Sequence, residues 1–320
     1  MPLNEFSLIE HYFSAIGQAD GVMLGVGDDA ALLDVPAGQH LVVSVDTLVA
    51  GVHFPHDAAP DDIARRALRV NLSDLAAMGA TPRWFTLALT LPGADTDWLE
   101  AFSRALAMDA DQFGCALVGG DTTAGPLTLS IQVMGLVPAG RALTRGGARA
   151  GDHVFVTGTL GEGAAALQLF EPSVELAAVV SERLRERFYQ PVPRLQEGLN
   201  LRGIASAALD VSDGLLADLG HIAEQSALGA EVQLSAMPVA PWLKKLADAG
   251  TVQDWVLCGG DDYELCFTVP PENLAAIDNM IVRGELIATC VGRMTTTTGI
   301  RCIDGNGMSV QVGQTGYRHF

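Results

Sequence analysis

Residues 41–78 read LVVSVDTLVAGVHFPHDAAPDDIARRALRVNLSDLAAM. Leu41–Val45 is an apolar, β-branched run broken by one serine, and it predicts a strand. Asp61–Met78 changes period: Ala64, Leu68, Leu72 and Leu75 fall on one stripe, which predicts an amphipathic helix. The same alternation continues outward in both directions and gives a broadly α/β (α+β) class. Strands are expected at Ala116–Val118, Leu127–Val137, Val154–Val156 and Leu265–Val269. Helices are expected at Asp97–Phe113, Gly161–Phe170, Ser173–Tyr189, Gly214–Ala227 and Pro271–Val282. In the first of these, Asp97 and Glu100 have capping-box spacing, and Gly114 closes the helix.

A chain of 320 residues exceeds the size at which a single core stops growing, so two domains are expected. Pro138–Gly151 (PAGRALTRGGARAG) is small, glycine-rich and without apolar periodicity. It reads as the junction between domains 1–138 and 139–320. Hydrophobic residues at 49% and charged ones at 18% supply ample cores and exclude general disorder. Lys plus Arg total 19 against 38 Asp plus Glu, a formal charge of −19. That surface lacks the basic footprint a nucleic-acid binder needs, and it is not drawn to anionic lipid. Five widely spaced cysteines without a Cys-x-x-Cys pair fit reduced thiols. No basic leader and no apolar run of about 18 residues is seen, so a cytoplasmic protein without a membrane span is expected.

Aspartate recurs immediately after apolar runs. VMLGVGDDA supplies Asp28 and Asp29, LVVSVDT supplies Asp46, and CALVGGDTT supplies Asp121. ASAALDVSDG supplies Asp210 and Asp213, and WVLCGGDDYE supplies Asp261, Asp262 and Glu264. Strand ends open onto the ligand crevice in α/β sheets, although any one such aspartate serves equally well as a turn former or helix cap. Asp213 before Gly214 and Asp262 both suit that plainer role. Asp74 differs, because it lies inside a helix at the margin of the apolar stripe, on the flank of Asn71. Cations are scarce: the only lysines are Lys244 and Lys245, and the N-terminal arginines are expected mainly on exposed helix faces. Were Asp29, Asp46, Asp74 and Asp121 to converge, each contacting pair would cost about 4 kcal/mol at a dielectric near 20. Such a cluster must bind protons or divalent metal, and all-oxygen donors with Ser44 nearby favour Mg²⁺ or Mn²⁺ over Zn²⁺. Several carboxylates with several ions suit a nucleotide triphosphate.

Other phosphate chemistries are excluded. No lysine follows a glycine as a phosphate-binding P-loop requires, and none precedes residue 244 as a protein-kinase core requires. GGARAG and LGEGAA do not match a dinucleotide fingerprint, and no G-x-S-x-G elbow is present. His53 and His56 are separated by Pro55, which argues against a helical zinc pair; a loop histidine touching substrate suits His53 better.

Taken in order, GDDAALL, SVDTLVAGVHF, VNLSDLAAMGA, GGDTT, GRALTRGGARAGD, TGTLGEGAA, LDVSDGL, GGDDYELCFTV and GYRHF resemble the thiamine-monophosphate kinase family nearly end to end. The resemblance implies the two-domain fold of the aminoimidazole ribonucleotide synthetase-like superfamily, with the N-domain sheet paired across a homodimer. It implies transfer of the γ-phosphoryl of ATP to thiamine monophosphate with several Mg²⁺ ions. By motif position, Asp29, Ser44, Val45 through its carbonyl, Asp46, Asp74 and Asp121 resemble metal ligands, as do Asp210 and Asp213. Gly120, Asp121, Arg145 and Ser212 match nucleotide positions, with Arg145 neutralising triphosphate charge. His53, Asp261 and Tyr317 match substrate positions. Two departures stand out: Asp261 replaces a common glutamate, and Val45 a common threonine. A dianionic acceptor needs no strong base and no enzyme nucleophile. Rivals are another ATP-using synthetase of the superfamily, disfavoured by the lack of an early cysteine and lysine, and an acidic metal buffer, disfavoured by the lack of calcium-loop motifs.

Overall fold

The computed structural model describes residues 5–171, 174–312 and 316. It divides into two compact units, residues 1–75 with 80–140 and residues 76–79 with 141–320. The first opens with helix α1 (Glu5–Tyr12) and a hairpin of β1 (Val22–Leu24) and β2 (Leu32–Leu33). Then come β3 (Gln39–Val49), α2 (Pro60–Ala77), β4 (Thr81–Leu91), α3 (Thr96–Phe113), β5 (Ala116–Ala124) and β6 (Thr128–Pro138). The four long strands are ordered β3-β6-β4-β5, antiparallel except for β4–β5.

Alternation along β3 sorts its side chains between two faces. Ser44, Asp46 and Leu48 are partly or fully buried on one face, and Leu41, Val43, Val45 and Thr47 are exposed on the other. Helix α2 covers the first face, and Ala64, Leu68, Leu72 and Leu75 on it are fully buried, each large side chain contributing roughly 1.5–3 kcal/mol. On the opposite face, Ala19, Ala31 and Leu33 pack over Trp84, Ala116, Val118, Met134 and Leu136. That segment covers the β4–β5 half of the face and leaves Leu41, Val43 and Val45 bare.

Several expectations change here. The arginines of α2 do not lie on an exposed face: Arg66 and Arg69 are buried. Arg69 grips the fully buried Asp109 of α3 through Nε at 2.5 Å and Nη2 at 3.0 Å, and Arg65 adds a contact at 2.9 Å. A two-pronged guanidinium is what makes a carboxylate tolerable at that depth. Helix α3 is capped by Asp95, which accepts from the amides of Asp97 and Trp98, so Asp97 is inside the helix and not its cap. β3 continues beyond Val45 to Val49, and β5 beyond Val118 to Ala124. Asp46 and Asp121 therefore lie within strands, not after them.

The second unit contains β7 (His153–Thr157), α4 (Glu162–Ala166), α5 (Ala178–Tyr189), α6 (Leu195–Leu201), β8 (Ala207–Asp210) and α7 (Leu215–Gln225). It continues with β9 (Gly229–Gln233), α8 (Ala249–Cys258), β10 (Leu265–Val269), α9 (Leu274–Val282), β11 (Ala288–Thr295), β12 (Gly299–Ile303) and β13 (Ser309–Val310). Its sheet is ordered β13-β12-β9-β11-β7-β10-β8, and only β9–β12 is parallel. The strand-end rule belongs to parallel sheets, so it does not govern the placement of aspartates in this mostly antiparallel one. Phe155 and Phe267 stack at 5.5 Å amid Leu201, Leu265, Val269, Ile277 and Leu286. The expected helix Gly161–Phe170 becomes α4 followed by a 3₁₀ turn at Leu167–Phe170, and α5 starts at Ala178, with Ser173 outside the described residues. Pro271–Asn273 is likewise a 3₁₀ turn leading into α9. The five cysteines are free; burial and nearby Asp109 push the Cys115 thiol up to about 12. No described helix is long and apolar enough to cross a membrane.

Candidate active site

The first acidic centre forms where β3 meets α2. Ser44 Oγ donates to Asp74 Oδ2 at 2.6 Å. The buried Asn71, one helical turn before Asp74, accepts the Asp46 amide at 2.9 Å and donates to the Ala67 carbonyl at 2.8 Å. These two bonds fix the amide orientation of Asn71 and hold the centre of β3 against the helix. Burial pushes the Asp46 carboxyl up to about 6, and the charge of Asp74 adds to the rise. Sequence reading singled out Ser44, Asp46 and Asp74; it noted Asn71 only as a neighbour. Val45 points to the opposite, exposed face.

Asp121 is not part of that centre. Asp46 pairs with Ile131, Ile131 with Leu87, and Leu87 with Gly120. Three strand spacings, about 14 Å, therefore separate Asp46 from the row where Asp121 begins. Gly120 has φ +153, and a Cβ there would stand 1.9 Å from the Leu87 carbonyl oxygen, so only glycine fits before this exposed aspartate. Asp29 sits in an exposed loop, where its amide bonds Asp28 Oδ1. Two residues on, Ala31 packs against the cluster of Trp84, Ala116, Val118, Met134 and Leu136, which draws on β4, β5 and β6. Asp121 thus lies on β5, while Asp46 and Asp74 meet at β3 and α2. Among the described residues no three His, Cys, Asp or Glu side chains stand close enough to hold one metal ion together. Two carboxylates and a hydroxyl do fit Mg²⁺, a hard ion that keeps several waters and takes one or two protein carboxylates beside substrate phosphates.

His53 follows β3 in a tight loop. Its Nδ1 accepts the Val49 amide at 2.9 Å, which assigns the ring proton to Nε2. Arg66 Nε donates to its carbonyl at 3.2 Å, so the loop is fastened to α2.

In the second unit two loops adjoin. Asp210 ends β8 and is buried; Ser212 and Asp213 are half-buried in the turn before α7. The Ser212 carbonyl accepts the Asp261 amide at 2.9 Å, and the Val211 carbonyl accepts that of Tyr263 at 2.8 Å. The DVSDG and GGDDY segments are thereby stitched together. Asp261 and Tyr263 hold φ of +70° and +50°, rare for residues with side chains, and Tyr263 Oη donates to Asp261 Oδ1 at 2.9 Å. Arg145 is exposed on the segment that borders β8, next to Thr144, whose carbonyl accepts the Ala208 amide. Gly316 lies against Asp213 and Ala217; Tyr317 is outside the described residues.

Three acidic residues here are structural. Asp262 accepts the amides of Gly161 and Gly163 at 2.7 and 2.9 Å, capping α4. Burial pushes its carboxyl up to about 7, against the opposing pull of Arg187 and those amides. Glu264 takes two bonds from Arg194, both at 2.6 Å, one from Arg187 at 3.1 Å and one from Thr157 at 2.6 Å. Asp218, which sequence reading missed, accepts the amides of Ser212, Asp213 and Gly214 at 3.0–3.1 Å. Burial pushes it up to about 7, opposed by those three bonds. Its only sequence signal was an aspartate in the first turn of a predicted helix.

The fold and these acidic loops define the class. Residues 27–137 match the N-terminal domain of AIR synthase related protein, and residues 149–305 match its C-terminal domain. The thiamine-monophosphate kinase of Salmonella typhimurium is 47% identical over 100% of this chain and 99% of its own length. The crystal structure of thiamine-monophosphate kinase from Stenotrophomonas maltophilia superposes with a TM-score of 0.84 at 46% identity, covering 91% of this chain and 93% of that one. AaThiL complexed with AMPPCP and TMP gives 0.79 at 30% identity over 92% of both chains. Within the AIR synthase related class, the chain belongs to the thiamine-monophosphate kinase family.

Proposed function

We propose that this enzyme transfers the γ-phosphoryl group of ATP to thiamine monophosphate, giving thiamine diphosphate and ADP. The end-to-end identity of 47% to a thiamine-monophosphate kinase carries this reading. A terminal oxygen of the acceptor phosphate attacks the γ-phosphorus in line as the bond to the ADP oxygen breaks. The attacking group is already anionic, so no proton must be removed and no phosphoenzyme forms.

Mg²⁺ would be held by Asp46, Asp74 and Ser44, by Asp29 and Asp121, with the Val45 carbonyl as a further donor, and by Asp210 and Asp213. Bound there, it supplies charge neutralisation between two polyanions. Gly120 lets the backbone bend ahead of Asp121, and Ser212 and Arg145 meet the nucleotide, Arg145 as a cation toward the triphosphate. His53 offers Nε2–H to the thiamine substrate, Asp261 meets it directly or through water, and Tyr317 packs on one of its rings. The enzyme works in the cytoplasm as a homodimer. Leu41, Val43 and Val45 are 42%, 47% and 59% exposed in alternation on one sheet face, the kind of apolar patch that marks a protein interface.

Purified full-length chain, assayed for ATP-dependent conversion of thiamine monophosphate with thiamine and aminoimidazole precursors as controls, tests the activity. Turnover of an aminoimidazole precursor in place of thiamine monophosphate would sink it. Light scattering of Val43→Asp against wild type tests the dimer, which the variant should dissociate.

A further inference from the structure

The turn between β8 and α7 is organised around one oxygen atom. Asp218 is 4% exposed, and its Oδ2 receives the amides of Ser212, Asp213 and Gly214 at 3.1, 3.0 and 3.1 Å. The need for this internal brace follows from packing. A Cβ on Gly214 would stand 2.7 Å from the Cys258 backbone, at φ +118, so the residue preceding α7 must be glycine. Glycine has no side chain with which to order the turn, and Asp218 reaches back from the first turn of α7 to hold the three amides that precede the helix.

Three successive amides in the turn before a helix, all aimed at one point, form the kind of nest that elsewhere takes up phosphate. Here the protein's own carboxylate fills it. The Ser212 carbonyl is engaged as well, by the Asp261 amide at 2.9 Å. The turn is left to present its side chains, Ser212 and Asp213, beside Asp210.

We propose that Asp218 is a positioning residue that locks the Ser212–Gly214 turn and, by filling its amide cradle, commits the turn to cations in place of phosphate. The nucleotide is then admitted here only together with its metal. This rests on the assignment of Asp210 and Asp213 as metal ligands.

The test uses full-length Asp218→Ala and Asp218→Asn, with Asp213→Asn as a check on the underlying assignment. Amide exchange of the peptide spanning 212–214, followed by mass spectrometry without ligand, reads the lock. The Mg²⁺ concentration for half-maximal rate at fixed ATP reads the consequence. Asp218→Ala is expected to speed exchange and to raise half-saturating Mg²⁺ by about 10- to 100-fold, the usual cost of removing a group that orients metal ligands. The KM for thiamine monophosphate should stay in place. Asp218→Asn keeps an acceptor oxygen without the charge, so it should restore slow exchange and most of the Mg²⁺ response; it also serves if the alanine variant does not fold. Faster exchange with unchanged Mg²⁺ dependence, or an equal rise in KM for both substrates, overturns the proposal. Wild-type Mg²⁺ dependence in Asp213→Asn overturns the metal assignment beneath it, whatever Asp218 does.

Discussion

Two acidic clusters in this chain use the same residue types to opposite ends. At β3 and α2, Asp46 faces Asp74, and the second carboxylate helps burial raise the first to about 6. At β10, Glu264 is 1% exposed yet held by two arginines and a threonine, and Asp262 is capped onto two amides. Repulsion retained in a fold marks a place built for something that arrives later; repulsion removed marks a support. The largest effect should therefore come from the first cluster. Asp46→Asn or Asp74→Asn should cut turnover by about a hundredfold or more, since metal-borne charge stabilisation is worth several kcal/mol. The same changes remove a like-charge contact, so the melting temperature without Mg²⁺ should hold or rise. Near wild-type turnover at saturating Mg²⁺ would erase the contrast.

The second cluster should answer in stability. Glu264→Gln takes from Arg194 and Arg187 their most buried counter-charge and leaves them the longer ion pairs to Glu197 at 3.6 Å and Glu162 at 3.9 Å, so the cost is at most that of a fully broken buried pair, about 3–5 kcal/mol. A fall in melting temperature on the order of 10 °C is expected, read by calorimetry. Asp262 gives a smaller, pH-dependent effect. Its folded carboxyl titrates near 7 and its unfolded one near the ordinary 3.8, so between these values the folded state holds the extra proton. The stability it contributes is full at low pH and declines as pH rises from about 4 to about 7, by at most about 1.4 kcal/mol per unit. Asp262→Asn removes that slope. The difference in melting temperature between wild type and variant should shrink from pH 5 to pH 8; a difference that widens would refute the assignment.

The contrast was half legible in the sequence. Pattern revealed β10 residue for residue and α2 within a residue or two, because a short run rich in β-branched and aromatic residues favours a strand and a clean helical stripe a helix. It did not reveal β4, where Pro82 and Arg83 interrupt the apolar pattern, nor the short helices α6 and α8. Asp74 stood out because a carboxylate on an apolar margin is costly wherever it sits, and Asp46 because it directly follows an apolar run. Asp218 and Asn71 did not, since their partners are backbone amides, which every sequence contains and no spacing reveals. The 14 Å between Asp46 and the Asp121 row was equally hidden, because strand order is a long-range property.

The smallest effect tests where the first cluster ends and substrate recognition begins. His53 leaves β3 only a few residues after Asp46, but its Nδ1 accepts the Val49 amide and its carbonyl is held by Arg66. The ring is therefore oriented at Nδ1 by the backbone, with Nε2–H as its donor. Loss of one such hydrogen bond to substrate is worth about 1 kcal/mol, so His53→Ala should raise the KM for thiamine monophosphate by roughly five- to tenfold. The KM for ATP and the Mg²⁺ requirement should not move. His53→Asn, which can still accept from Val49, separates loss of loop support from loss of the donor: a full KM rise in Asn as in Ala assigns the effect to Nε2. Were the change confined to ATP or Mg²⁺, His53 would belong with Asp46 and Asp74, and the boundary between charge handling and substrate recognition would have to be drawn elsewhere.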